Sequence, residues 1–321
     1  MAYVLENILN RKKTILIMGI SGFLGSHLFK SFLADQNFFV YGLSRHHIDK
    51  KIYVLTNKRN GKIETQNYNN KISVFKDNIY DVVINAISYG VNYNERDSEL
   101  AKFTNIDLCN ELFTLSNDFG VKTFIHLGTS DEYGVMHGTI NEDTQTNPQS
   151  IYGITKTKGS EKLLRSSEEY STNLIILRLF SIYGSNESDF KLMPTIINSL
   201  RDNKEIMMTG GNQMRNYLYI NDLLKVILIV SARTKSPQNK IYNVGSKNTL
   251  TIRGIAEEIS ALMTGNFKLF KWGLLPYRES ESFEFRVDLA NISHLLDLKY
   301  ENYTLKNGIT EILNIGSNAN G

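Results

Sequence analysis

The chain has little that would hold it together covalently or carry it to a membrane or a nucleic acid. A single cysteine, Cys109, stands in 321 residues, so no intrachain disulfide can form and a reducing cytoplasm is the expected compartment. Cys109 falls in an apolar helical stretch and reads as a buried structural thiol rather than a nucleophile. Charge of one sign is not in excess. The 36 Lys and Arg against 33 Asp and Glu leave a net charge of +3, too balanced to call for nucleic acid or a membrane surface. Long hydrophobic runs are missing as well. Residues 223–232 form the longest and contain Lys225, far short of the roughly 20 residues of a membrane span. Arg11, Lys12 and Lys13 precede an apolar run, but residues 14–19 are too short for a signal peptide and end in a glycine turn. Repeats, low-complexity tracts and linker-like stretches are absent too, which implies interleaved domains rather than a hinge peptide.

What is present is an alternation of short apolar strands and amphipathic helices, in a chain 41 % apolar and 21 % charged, long enough for a large core. Residues 2–10 read as a short helix or arm. The β-branched run at 14–18 reads as a buried strand, followed by a glycine turn, a helix over 26–34 and a second strand over 38–43. Residues 46–80 are poorly patterned, with 63–65 as a candidate third strand. Strands are predicted over 81–86, 123–127 and 174–179, and helices over 99–117 and 152–169. Later helices are predicted over 192–201, 222–231 and 252–263. This alternation predicts an α/β, Rossmann-type doubly wound parallel sheet with a smaller, interleaved C-terminal substrate lobe. The dinucleotide-binding domain is expected over 1–180 with a return near 216–247, and the nucleotide-sugar lobe over 181–215 and 248–321.

The first turn reads Gly19-Ile20-Ser21-Gly22-Phe23-Leu24-Gly25, a GxxGxxG pattern between strand and helix. Gly19 permits the tight turn, Gly22 lets the backbone approach phosphate, and Gly25 lets the helix pack against the strand. Together with Ser21, Phe23 and Leu24 it frames a pyrophosphate at the helix N-terminus. The second strand ends in Ser44-Arg45, with no acid before Asp49. An acid there would grip a ribose 2′-hydroxyl. Arg45 and Ser44 suit a 2′-phosphate instead, which favours NADP(H), with NAD(H) as the alternative. Further on, Thr129 follows a strand, and Tyr152 and Lys156 share a helix face at i and i+4. An ammonium near a phenol favours the phenolate and lowers its pKa. A hydroxyl, a phenol and an ammonium in this order can drive hydride transfer at a carbonyl, so Thr129, Tyr152 and Lys156 form the candidate catalytic set. No metal is expected.

With these parts in order the chain resembles the extended short-chain dehydrogenase/reductase family acting on nucleotide sugars. The resemblance covers about residues 14–312. It is carried by His126-Leu127-Gly128-Thr129-Ser130-Asp131-Glu132-Tyr133-Gly134, by Glu142, Pro148 and Ser150-Ile151-Tyr152-Gly153, by Arg178-Leu179-Phe180-Ser181-Ile182-Tyr183-Gly184, and by the segment from Gly211 to Asp222. Asn216 stands where that family usually has Asp. The resemblance implies that Ala86, Phe180 and Ile182 join the cofactor set. It further implies that Tyr89, Ser130 and Asp131 line the sugar pocket, that Met193 helps to frame the nucleotide, and that Arg215 and Arg278 grip the substrate pyrophosphate. In that family the flank formed by the helices at 99–117 and 152–169 pairs two subunits. Leu100, Phe103, Leu163 and Leu164 are the candidate apolar face of a homodimer.

The family holds reductases, epimerases and 4,6-dehydratases. A dehydratase needs a carboxyl acid/base, and Asp131 occupies the position that normally holds the catalytic Glu, one methylene shorter. The expected activity is therefore an NADPH-dependent reduction of a nucleotide-linked 4-keto-6-deoxyhexose in deoxysugar or surface polysaccharide biosynthesis. A nucleotide-sugar epimerase or 4,6-dehydratase with tightly bound NAD(P) is the alternative, and a non-catalytic dinucleotide-binding scaffold a minor one.

Overall fold

A computed structural model describes residues 11–45, 52–59, 62–92, 94–233, 240–279, 281–297 and 302–318. The arm expected over 2–10 lies outside them. The chain divides into two compact units, one of residues 1–132, 148–178 and 224–242, the other of 133–147, 179–223 and 243–321.

The first unit is built on β1 (Lys13–Met18), whose last four residues are buried. A strand buried on both faces needs apolar side chains at consecutive positions, and the run Ile15–Met18 supplies them. β1 pairs in parallel with β2 (Phe38–Arg45) on one side and β5 (Val82–Asn85) on the other. β5 pairs in parallel with β6 (Thr123–Thr129), which is buried throughout. The eight-stranded sheet has the order β13-β8-β6-β5-β1-β2-β3-β4, where β3 is Tyr53–Arg59, β4 is Lys62–Tyr68, β8 is Asn173–Leu179 and β13 is Lys240–Val244. The chain first moves to one side of β1 and then crosses to the other, so the carboxyl ends of β1 and β5 form the topological switch point. The Rossmann-type α/β expectation is borne out.

The poorly patterned region resolves into β3 (Tyr53–Arg59) and β4 (Lys62–Tyr68), an antiparallel extension of the sheet edge rather than one parallel strand. The first six residues of β4 are exposed, so no alternation of apolar and polar residues marks it in the sequence. The helix expected over 99–117 is also more complex. α3 (Ser98–Lys102) is capped by Asp97, then a π-helical turn spans Phe103–Leu108, and α4 continues over Cys109–Asp118. The widened turn presents the Asn105 carbonyl to α5 (Ile151–Ser167), where a Cβ on Gly159 would lie 2.2 Å from that oxygen. Only glycine permits this approach.

The second unit carries short strand pairs and its own small core. Tyr133, Ile140, Phe180 and Phe285 pack together. Buried Asn216 donates to the Ser246 carbonyl (2.7 Å) and to Thr249 Oγ1 (3.1 Å), and it accepts from the Ser246 N–H (2.7 Å). An ionised aspartate has no donor for that carbonyl, so the departure at 216 is locally self-consistent. Among the described residues no helix is long and apolar enough to cross a membrane, and no cluster of His, Cys, Asp and Glu could hold a metal ion.

Candidate active site

The glycine turn sits at the switch point. Gly19 has φ +88°, and its N–H donates to the Leu43 carbonyl at 2.8 Å. A Cβ on Gly25 would lie 2.1 Å from the Gly19 carbonyl oxygen, so α1 (Phe23–Ala34) can begin this close to β1 only with glycine there. Gly22 differs. A Cβ there would meet its nearest atom at 3.5 Å, so the protein's own packing does not demand glycine. Gly22 caps α1 without a side-chain hydrogen bond, and the first turn carries no acid. The N–H groups of Phe23, Leu24 and Gly25 thus keep the free helix-end polarity that receives a phosphate, and Ser21 is exposed beside them. These residues fit a dinucleotide. Ala86 follows β5 and donates its N–H to the Met18 carbonyl at 3.1 Å. Ser44 and exposed Arg45 end β2, opposite Val54 and Tyr53.

Thr129 is the last residue of β6. Its N–H is held by Glu132 Oε1 at 3.1 Å and its Oγ1 accepts from the Asp131 N–H at 3.3 Å. Tyr152 lies in the first turn of α5, which Ser150 caps by accepting from the Gly153 N–H. Thr129 hydrogen-bonds Tyr152 and favours its phenolate, but burial and then the Asp131 carboxylate push the phenol well above its usual range. The lowering expected from Lys156 is therefore not the net effect in this environment. Burial disfavours the anion, and Asp131, Glu132 and Glu95 add negative charge around it. Both effects favour the protonated phenol.

Lys156 is fully buried. Its Nζ donates to the Leu127 carbonyl at 2.7 Å and lies 2.9 Å from His126 Nε2. Burial lowers its pKa, opposed by Cys109 and Glu132. His126 is itself buried and held well below its ordinary pKa by burial and by the Lys156 charge. Behind it lie Cys109 Sγ, 3.4 Å from His126 Nδ1, and Asn85, whose amide donates to that sulfur at 3.2 Å.

The adjacent acids Asp131 and Glu132 have different environments. Asp131 is exposed. Glu132 is completely buried and takes the Nε of Arg178, itself 5 % exposed, at 3.0 Å. Glu132 also accepts from Ser160 Oγ. Its carboxylate is committed to structure. Ser130 between Thr129 and Asp131 is buried. Tyr89 is held by Asn105, which accepts from its N–H (3.0 Å) and donates to its carbonyl (2.8 Å). Glu95 secures the next turn by accepting from the Gly90 N–H at 2.8 Å.

The remaining candidates lie in the second unit. Phe180 is buried and stacks with Tyr133 and Phe285, while Ile182 is half-buried in β9 (Ser181–Tyr183). Met193 is buried in α6 (Leu192–Arg201), so its side chain belongs to the core. Arg215 forms a close ion pair with buried Glu281, donates to the Met214 carbonyl and lines a cavity of about 120 Å³ with Tyr217 and Glu258. Arg278 is exposed.

Sequence reasoning missed His126, Asn105, Glu95 and the pairing of Glu132 with Arg178. His126 reads as one more residue of a buried strand, and Asn105 reads as the middle of a helix. The only signal for either was a polar residue where an apolar one was due.

The sequence pattern of the NAD dependent epimerase/dehydratase family matches residues 15–245. Among curated proteins the chain is similar to Protein CapI of Staphylococcus aureus, 26 % identical over 93 % of this chain and 97 % of that one. It is also similar to CDP-abequose synthase of Salmonella typhimurium, 23 % identical over 94 % and 98 %. Among solved structures it resembles UDP-glucuronic acid 4-epimerase from Bacillus cereus in complex with NAD, with a TM-score of 0.77 and 22 % identity, covering 94 % of this chain and 96 % of that one. The extended short-chain dehydrogenase/reductase reading is borne out.

Proposed function

The chain belongs to the NAD dependent epimerase/dehydratase family, and on that premise we propose that it is an NADPH-dependent reductase of a nucleotide-linked 4-keto-6-deoxyhexose, acting in cytoplasmic deoxysugar synthesis. The observation that carries this reading is the division of labour around Tyr152. Glu132 is locked to Arg178, Asp131 is the shorter acid, and the phenol is kept protonated. Proton donation to a carbonyl oxygen needs the phenol alone, whereas elimination needs a further carboxyl group with reach. The similarity to a CDP-abequose synthase adds support.

A bound nicotinamide dinucleotide supplies the hydride. Tyr152 passes its proton to the C4 oxygen as that oxygen becomes a hydroxyl, and Thr129 donates a hydrogen bond to the same oxygen. Lys156 holds the nicotinamide ribose and supplies positive charge near the phenol. Arg45 and Ser44 take the 2′-phosphate of NADPH, and the α1 N-terminus the pyrophosphate. Tyr89, Ser130 and Asp131 line the sugar, Met193 stands in the helix that frames the nucleotide, and Arg215 and Arg278 take the sugar-nucleotide diphosphate. Binding requires Arg215 to share or leave Glu281.

A homodimer through the α3–α5 flank is part of the proposal. Leu100 and Phe103 are 36 % and 48 % exposed, and Ile151 and Ile154 on α5 are exposed as well. Leu163 is fully buried and Leu164 packs on the core, so the sheet rather than a partner takes them.

The test is to mix the protein with NADPH and a panel of nucleotide 4-keto-6-deoxy sugars. Loss of NADPH absorbance with one of them is expected. Interconversion of sugars without net oxidation would favour the epimerase reading, for which the NAD in the Bacillus cereus epimerase structure speaks.

A further inference from the structure

Lys156 Nζ meets two acceptors on β6, the Leu127 carbonyl at 2.7 Å and His126 Nε2 at 2.9 Å. An ammonium has three N–H bonds, and β6 takes two of them. We propose that His126 is a positioning residue for Lys156, a neutral imidazole whose Nε2 lone pair holds the ammonium in place and whose Nδ1–H is taken by Cys109. The proposal rests on the reading of Lys156 as the ribose-holding group.

The tautomer follows from the partners. Nε2 faces an ammonium, which only donates, so Nε2 carries the lone pair and Nδ1 the hydrogen. Nδ1 then donates to Cys109 Sγ at 3.4 Å. Asn85 lies 3.3 Å from the same nitrogen, but its Oδ1 accepts from the Ile87 N–H at 3.1 Å, which turns its NH₂ toward the sulfur at 3.2 Å. Cys109 is therefore the acceptor of two donors. A hydrocarbon at 109 would leave both without it.

The groups acting on the ammonium are His126 on β6, in hydrogen-bond contact, and Cys109 on α4 and Glu132 after β6 through their charge. Burial pushes the Cys109 thiol up to about 11 and holds His126 well below its usual value. Glu132 is tied to Arg178. Burial lowers the Lys156 pKa, so alkaline pH is the condition that discharges the ammonium. A hydrogen bond to the charged form favours that form, so removal of the Nε2 acceptor lowers the pH at which Lys156 discharges.

NADPH is titrated by its fluorescence, without sugar, against the wild type, His126→Phe and His126→Gln at a series of pH values from about 6 to about 10. Wild-type affinity is expected to fall at alkaline pH. His126→Phe fills the space without an acceptor and should move that fall down by about one pH unit or more. His126→Gln places an amide oxygen near Nε2 and should restore most of the shift. Unchanged midpoints in His126→Phe, or a Gln variant that behaves like Phe, would overturn the proposal and leave the cofactor reading intact. If the wild type binds neither NADPH nor NADH, the cofactor reading falls and this proposal with it. Should His126→Phe fail to fold, ¹⁵N spectra of wild-type imidazoles decide the matter. A protonated Nδ1 and a bare Nε2 on the resonance lost in His126→Gln support the proposal, and a protonated Nε2 refutes it.

Discussion

At the end of β6 the polar groups are buried and bound. Glu132, Arg178, His126 and Lys156 are each no more than 5 % exposed, and each has a named partner. Residues 273–279, after β15 (Phe270–Lys271) in the second unit, are the opposite. Leu274 is 63 % exposed, Leu275 and Tyr277 are exposed as well, and the Tyr277 hydroxyl accepts from the Asn212 N–H at the surface. In the first region a single substitution strands a buried partner. In the second it removes only a contact at the surface. A substitution is therefore costly at the end of β6 and cheap in the exposed stretch after β15.

Substitutions can break or sharpen this contrast. The largest effect is expected from Tyr152→Phe, which should lower turnover by about 10²–10⁴-fold with NADPH affinity nearly unchanged. Retention of more than about a tenth of the rate would remove Tyr152 from the acid role. Arg178→Met should follow. It leaves the Glu132 charge buried without its cation and should cost about 3–5 kcal/mol of stability, read from the urea unfolding midpoint. A loss comparable to that of an exposed ion pair would mean that the end of β6 is less tightly coupled than the distances imply.

Arg45→Ala sharpens the comparison within the first unit, because Arg45 is exposed although it belongs to the proposed cofactor site. It should weaken NADPH binding about ten- to a hundredfold and NADH binding far less. Equal losses would show that Arg45 does not read the 2′-phosphate. The smallest effect belongs to the second region. The Arg253 guanidinium lies 4.2 Å from the Trp272 ring centroid, with one hydrogen bond to the Gly210 carbonyl. Arg253→Ala should cost about 1 kcal/mol in thermal unfolding. A loss as large as that of Arg178→Met would erase the distinction.

Legibility followed the same divide. β1, β5 and β6 were readable because strands buried on both faces are apolar at consecutive positions. β4 was marked only over 63–65, because its first six residues are all exposed and five of them polar, and so carry no period. The π-helical turn was hidden inside a continuous helical pattern, since the demand for it comes from α5 pressing Gly159 against Asn105.

Local rules sufficed for the turn from Gly19 to Gly25, the placing of Thr129 at a strand end and the shared helix face of Tyr152 and Lys156. Each depends on residues within a few positions of one another, and so each is written in the sequence. The roles of the neighbouring acids Asp131 and Glu132 were decided only by tertiary structure. Both read as acids beside Thr129, yet Glu132 is claimed by Arg178, 46 positions away along the chain. His126 likewise becomes more than a strand residue only once Lys156, 30 positions on, is folded against it. Burial and pairing set the charge state of such groups, and both are properties of three-dimensional neighbours that no local pattern encodes.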